Sequence, residues 1–175
     1  MFSKVKYRVW QSWKNLTDSL SRQDHQLIRQ VLNPEQYRLF LRMGEADQAH
    51  SFRVFQALFS SGEDHPDLLT AALLHDAGKA GQSFPLWKRT AAVLLDRWVP
   101  EDPGPAESAP FSGWKRALDL SRRHPVWGAD LAREAGASPL AVRLIRYHQS
   151  APEDFPGADR ERELLIKLIQ ADNQN

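Results

Sequence analysis

The sequence predicts an all-α protein of a single domain with about seven to nine helices. Apolar residues recur every three or four positions in most segments, which is typical of a helix that buries one side, and no segment has the alternation of a strand ladder. Several segments open with a capping residue followed by proline. The chain has 175 residues, 42% of them hydrophobic and 26% charged, which suits one globular domain with a substantial core.

The first segment carries a helical stripe of apolar residues: Phe2, Val5, Val9, Trp13, Leu16 and Leu20. Lysines and arginines flank the stripe, so this helix could lie on a membrane surface or pack on its own domain. We predict the second, because most such stripes face a core. Residues 1–33 are therefore an N-terminal helical segment packed on a core unit of residues 34–175.

The first helices of this unit follow from local signals. Asn33 is the predicted N-cap and Pro34 the first position of a helix that runs through Met43. A helix through "QAHSFRVFQALFSSG" comes next. Pro66 then opens an apolar helix that ends at His75.

The second half begins with another amphipathic segment, "SFPLWKRTAAVLLDRWV". Residues 100–110 hold four prolines and a glycine and are predicted to be a loop within the domain, with a lid as one role. Two helices follow, separated between His124 and Pro125. Gly136 ends the second of them and Ser138 caps the next. The last helix is "DRERELLIKLIQAD".

Composition excludes several classes of function. The chain has no cysteine, so disulfides, thiolate metal ligands and cysteine nucleophiles are excluded. A net charge of +1 gives no bulk electrostatic reason to expect DNA binding. There is no apolar run of membrane-spanning length, and the N-terminus lacks the features of a secretion signal. We expect a cytoplasmic protein.

The histidines divide into two groups. His25 and His65 lie in polar stretches and are predicted to be surface residues. The other four histidines lie in or beside apolar helices. Together with two aspartates, they form a group of six candidate ligands: His50, His75, Asp76, His124, His148 and Asp172. Imidazoles and carboxylates are ligands of first-row metals, and six of them can hold two ions if an aspartate bridges. Metal would offset the cost of burying such groups.

These residues resemble the H…HD…D motif of the HD-domain superfamily of metal-dependent phosphohydrolases. "LLHDAGK" resembles the extended form HDxGK, and "RHPVWGADLA" and "RLIRYHQ" resemble the blocks that supply a fifth and a sixth ligand. "LIQADN" resembles the closing aspartate block. The resemblance covers His50 to Asp172, about two-thirds of the chain.

The resemblance implies an HD-fold helical bundle with the metal site in its interior. A first metal would be held by four residues: His50, His75, Asp76 and Asp172. A second would be held by Asp76, His124 and His148, so that Asp76 bridges. The expected cofactors are two divalent ions, iron or manganese by the nitrogen and oxygen donor set, with zinc, nickel or magnesium as further options.

The implied activity is phosphohydrolysis with a metal-activated hydroxide as nucleophile. The expected substrate is a nucleotide or dinucleotide, cleaved by a two-metal phosphodiesterase, pyrophosphohydrolase or phosphatase. Asp76 and Lys79 are the predicted catalytic residues, and Lys79 and Arg53 the predicted phosphate contacts. "YHQ" at His148 differs from the His-His-Glu of HD-GYP phosphodiesterases, and no GYP triplet follows, which argues against cyclic-di-GMP.

Two other functions stay open at this point. Some HD-fold di-iron proteins are oxygenases with nearly the same ligands, and activity with manganese in the absence of oxygen would separate them from hydrolases. A non-catalytic nucleotide-binding signalling module is the other alternative. The sequence implies no protein partner and leaves the oligomeric state open.

Overall fold

A computed structural model describes residues 19–80 and 112–175. These ranges hold seven α-helices, two short 3-10 helices and no strand, which confirms the all-α prediction. The helices are α1 (Arg22–Val31), α2 (Pro34–Leu41), α3 (Glu45–Ser60), α4 (Pro66–Leu74), α5 (Ser112–Glu134), α6 (Pro139–Tyr147) and α7 (Asp159–Gln174). The 3-10 helices are η1 (Ala77–Lys79) and η2 (Pro152–Asp154).

Three predictions fall outside the described residues: the N-terminal apolar stripe up to residue 18, the amphipathic segment after residue 82, and the loop 100–110. They stay predictions, as does the division at residue 33. Within the described part of the segment 1–33, α1 lies against the domain, with Ile28 fully buried. No helix in the described ranges is both long and apolar enough to cross a membrane.

Local chemistry sets the helix boundaries where the sequence predicts them. The Asn33 side chain accepts a hydrogen bond from the Gln36 backbone N–H at 2.8 Å, and Ser138 Oγ accepts one from Ala141 N–H at 3.0 Å. Each thereby satisfies a donor that the helix start leaves free. Gly136, after α5, has φ +74°, a conformation that glycine adopts without the usual steric cost.

The predicted break before Pro125 is wrong, because α5 is one helix with Pro125 in its interior. Proline has no N–H for the carbonyl four residues earlier and usually ends or kinks a helix, at a cost of about 3 kcal/mol. Here the flanking turn is held by tertiary packing: Pro125, Gly128 and Ala129 are all buried. Burial of this face offsets the lost hydrogen bond. Helix propensity depends on neighbouring residues alone, so it does not predict this effect of tertiary packing.

The core is organised around α4. All of its residues from Leu68 to Leu74 are buried, as expected of a helix that is apolar all round. It contacts α1, α2, α3, α6 and α7, while η1 at its C-terminal end packs against α5. The C-terminal end of α4 is therefore enclosed by other helices, and this is where the adjacent His75 and Asp76 lie.

Candidate metal centre

His75 is the C-cap of α4 and is held there by a backbone hydrogen bond. Its Nδ1 lies 2.9 Å from the Ala72 carbonyl oxygen. A carbonyl can only accept, so Nδ1 carries the proton and donates. When the ring is neutral, the Nε2 lone pair is directed to the interior, which is the usual state of a metal-binding histidine.

His148 occupies the same position on α6. It is the C-cap, and its Nδ1 lies 2.7 Å from the Ile145 carbonyl oxygen. Two helices thus present histidines by the same backbone device, with Nε2 available in each. The ring centroids of His75 and His148 are 5.1 Å apart.

Asp76 lies in the middle of the cluster. Its Oδ1 is 2.6 Å from Lys79 Nζ and 3.3 Å from His124 Nε2, while its Oδ2 is 3.7 Å from His75 Nε2. The helical backbone ends at this point, so the side chains of His75 and Asp76 are not confined to the spacing of one helical face. One carboxylate therefore faces two groups of imidazoles at once.

His50 and Asp172 come from helices distant in the sequence, α3 and α7. His50 Nε2 lies 2.8 Å from Asp172 Oδ1, and the same oxygen is 3.5 Å from His75 Nε2. An ion pair between Lys167 and Glu63, at 2.7 Å, joins α7 to the turn after α3. The pairing of these helices brings the first and last predicted ligands together.

His124 reaches the centre because α5 lies very close to η1. A Cβ placed on Gly78 would collide with the backbone of α5, at 2.7 Å from Gly128 N and closer still to the His124 carbonyl oxygen. Only glycine permits this approach. It leaves His124 Nε2 3.3 Å from His148 Nε2.

The residues form two overlapping groups of possible metal ligands. In each group, one donor atom from each residue lies within 4.8 Å of the others: His50, His75 and Asp76 in the first, and Asp76, His124 and His148 in the second. Asp76 belongs to both. Asp172 joins the first group through its contacts with His50 and His75.

The centre is buried on one side and open on the other. His75, Asp76, His124 and His148 are 1–3% exposed. The side chains of His50 and Asp172 are 23% exposed, and that of Lys79 is 21% exposed. Within the described residues, access to the centre is therefore from the side of these three.

Electrostatics keep the two aspartates ionised. Burial by itself raises the pKa of Asp76, but the Lys79 ammonium and the imidazoles of His75 and His124 outweigh it and hold the pKa well below its usual value. Burial likewise raises the pKa of Asp172, but His50 and His75 lower it well below the usual range. Both groups are carboxylates at neutral pH and can bind cations.

The two helix-end histidines differ in protonation. Burial lowers the pKa of His75, but the carboxylates of Asp76 and Asp172 outweigh it, so that the pKa is raised. Burial, with the charge on His75, lowers the pKa of His148 to about 3. His148 is therefore neutral, and a metal ion would compete with a proton at His75.

The chemistry of these residues suits a bound cation, and one buried nitrogen atom points to it directly. His75 Nε2 is buried and has no hydrogen-bond partner, although buried polar atoms nearly always have one. Imidazole nitrogens and ionised carboxylates converge on the same small volume, and that donor set suits divalent transition metals. A cation between this nitrogen and the carboxylate oxygens, which lie 3.5 and 3.7 Å from it, would give the nitrogen a partner.

The remaining predicted residues lie as follows. Lys79 ends η1 and contacts Asp76. Arg53 is on α3, one turn after His50, and is partly buried. His25 is hydrogen-bonded to Tyr37 Oη at 3.1 Å, and His65 is the N-cap of α4, so both lie outside the centre.

An all-α bundle with an interior cluster of histidines and aspartates defines a class of helical metal-site proteins. The HD domain family matches residues 48–172, and the chain belongs to this family. The HD domain defines a superfamily of metal-dependent phosphohydrolases, and the cluster of histidines and aspartates is compatible with the metal site of that superfamily. No curated protein and no solved structure matches the chain.

Proposed function

We propose that this protein is a phosphohydrolase with two divalent cations, acting on a phosphodiester, pyrophosphate or phosphomonoester of a nucleotide-type substrate. The observation that supports it is the pair of donor groups sharing Asp76. A single-ion site needs three or four donors, whereas six donors arranged around one carboxylate suit two ions. Iron or manganese is the proposed metal, since four of the donors are imidazoles.

In this proposal one ion is held by His50, His75, Asp76 and Asp172, and the other by Asp76, His124 and His148. The ions, when bound, would supply an activated water as nucleophile and Lewis-acid stabilisation of the transition state. The protein's part is to hold the donors in place. The backbone hydrogen bonds of His75 and His148 fix their rings and tautomers.

Lys79 is the proposed phosphate contact. Its ammonium lies on Asp76 in the described structure, at 2.6 Å, with part of its side chain exposed on the open side of the centre. From there it can neutralise charge that develops on a phosphoryl oxygen. Arg53, one turn after His50, is the second proposed cation for the substrate.

The substrate enters, in this proposal, from the side of His50, Asp172 and Lys79. The opposite side is formed by buried residues of α4, α5 and α6. A buried site of this kind excludes bulk water, which strengthens the electrostatic interactions within it. The class of nucleotide would be selected by contacts on the open side.

The experiment that tests the proposal is hydrolysis by metal-free protein to which Mn²⁺ is added without oxygen. Hydrolysis of a panel of nucleotides, dinucleotides and a simple phosphodiester would be followed by ³¹P NMR. We expect Mn²⁺-dependent hydrolysis of at least one phosphate compound, lost on His124→Ala. The matched control is His65→Asn, which removes a histidine outside the centre and keeps a good helix cap.

Two results would count against the proposal. Turnover that requires iron and oxygen would identify an oxygenase instead. Binding of nucleotides with no turnover under any metal condition would indicate a signalling module.

A further inference from the structure

Two helices of the centre, α4 and α6, are built alike. Each has nine residues, begins with proline and is followed by a histidine C-cap. The interval from Pro66 to His75 therefore equals that from Pro139 to His148. Nothing in the family resemblance draws attention to the starts of these helices.

The two helices run parallel, because they are joined at both ends. At the N-terminal ends, Ser138 Oγ donates a hydrogen bond to Asp67 Oδ1 at 2.5 Å. At the C-terminal ends, the rings of His75 and His148 lie 5.1 Å apart. Asp67 lies eight residues before His75 and Ser138 ten residues before His148, so the bond links the first turn of α4 to the N-cap of α6. At the other ends the two histidine rings lie beside each other, at a similar height along the helix axes.

The faces between these ends are apolar. Leu73, Ala72, Leu144 and Ile145 are buried in the common core. Apolar contact is not directional, so it holds the helices together without fixing their relative height. A hydrogen bond has strict distance and angle requirements, and the Asp67 carboxylate makes this one charge-assisted.

Displacement at one end of a short helix reaches its other end, since α6 has only about two and a half turns and moves as a rigid unit. A slide of α6 along α4 would carry His148 past His75 by the same amount. Metal ligands must stay within about 0.2 Å of their required distances. Even a small slide would therefore disturb the centre.

We propose that the Asp67–Ser138 hydrogen bond is a positioning contact that sets the height of His148 relative to His75. The inference rests on the proposed function in one respect, that these two histidines hold metal. Neither Asp67 nor Ser138 touches the centre, so both act only through the helices that they join.

Ser138 has a second role that the test must separate. It also caps α6 through Ala141 N–H. Asp67→Ala removes the acceptor of the inter-helix bond and leaves that cap in place. Asp67→Asn loses the same charge but keeps an acceptor oxygen, so the pair isolates the hydrogen bond itself.

The experiment measures Mn²⁺ binding to metal-free protein by electron paramagnetic resonance, without any assay of activity. We expect Asp67→Ala and Ser138→Ala to weaken binding about tenfold, at the low end of the cost of losing an outer-shell partner. Asp67→Asn and Ser138→Thr should bind nearly as the wild type does. Ser21→Ala, which removes a serine cap at α1 away from the centre, should have no effect.

A second measurement does not depend on metal. In metal-free protein, the nuclear Overhauser contact between the His75 and His148 rings should weaken in Asp67→Ala and persist in Asp67→Asn. Unchanged Mn²⁺ affinity and an unchanged ring contact in Asp67→Ala would overturn the inference. Failure of the wild type to bind Mn²⁺ would instead refute the proposed function, and the ring contact alone would then decide the inference.

Discussion

The close approach of η1 to α5 makes Gly78 the position where one methyl group should damage the centre most. A Cβ at residue 78 would lie 2.7 Å from Gly128 N and 2.9 Å from the His124 carbonyl carbon. Non-bonded heavy atoms rest about 3.5 Å apart, so α5 would have to move by about 0.8 Å, and farther to clear the His124 carbonyl oxygen. Backbone atoms cannot rotate away as a side chain can.

The size of the effect follows from that displacement. Overpacking of a core costs about 1–3 kcal/mol, and contact with rigid backbone places Gly78→Ala at the upper end, near 3 kcal/mol in the free energy of unfolding. A shift of about 1 Å at His124 would also reduce the proposed phosphohydrolase activity about 100-fold. Metal binding at the group containing His124 should weaken with it.

A series of glycine variants provides the assay. Gly128→Ala places its Cβ 3.0 Å from Gly78 N, so we expect a smaller loss. Gly44→Ala meets only the Asp47 carboxylate, at 3.4 Å, and should cost a few tenths of a kcal/mol as a poorer cap. Urea unfolding and Mn²⁺ titration of the three variants should rank them in this order. Equal stability and metal affinity for Gly78→Ala and Gly44→Ala would show that the contact between η1 and α5 does not constrain the centre.

Three further predictions concern charge and metal. Removing metal with a chelator should lower the melting temperature, because a ligand of the folded state stabilises it, and differential scanning calorimetry would show no change if the centre binds nothing. The pKa of His148 is about 3 when folded against an ordinary 6.5, so between these values the unfolded chain binds the proton and the folded protein does not. The free energy of unfolding of metal-free protein should therefore fall as pH decreases through this window, by up to about 1.4 kcal/mol per pH unit from this residue, and His148→Asn should lack that part in urea titrations. Lys79→Ala should raise the pKa of Asp76. It should also reduce kcat of the proposed hydrolysis more than it weakens metal binding, and Lys79→Arg should recover part of kcat. Equal kcat in the wild type and both variants would exclude a phosphate contact.

The sequence predicts the fold well where local chemistry decides it. Asn33, Ser138 and Gly136 act through hydrogen bonds or backbone conformation within a few residues, and the structure has all three as predicted. Pro125 shows the limit. It is buried inside α5, a helix that packs against η1, and this packing joins residues distant in the sequence.

The sequence predicts which residues form the candidate site but does not predict how they are arranged in space. The family resemblance selects the histidines and aspartates, and the fold brings them together. The family resemblance does not give the contact of Lys79 with Asp76, because that contact depends on the conformation of a flexible side chain. Nor does the sequence give the Asp67–Ser138 bond, because it joins two residues that are 71 positions apart.

In the proposed centre, Asp76 joins two cation sites, so the number of cations that the protein binds is the sharpest test. Metal-free protein would be titrated with Mn²⁺ under anaerobic conditions by calorimetry, with metal analysis of the product. We expect two equivalents for the wild type and for His65→Asn, and about one for His124→Ala. One equivalent or none in the wild type, with the same value in His124→Ala, would rule out a pair of ions that share Asp76.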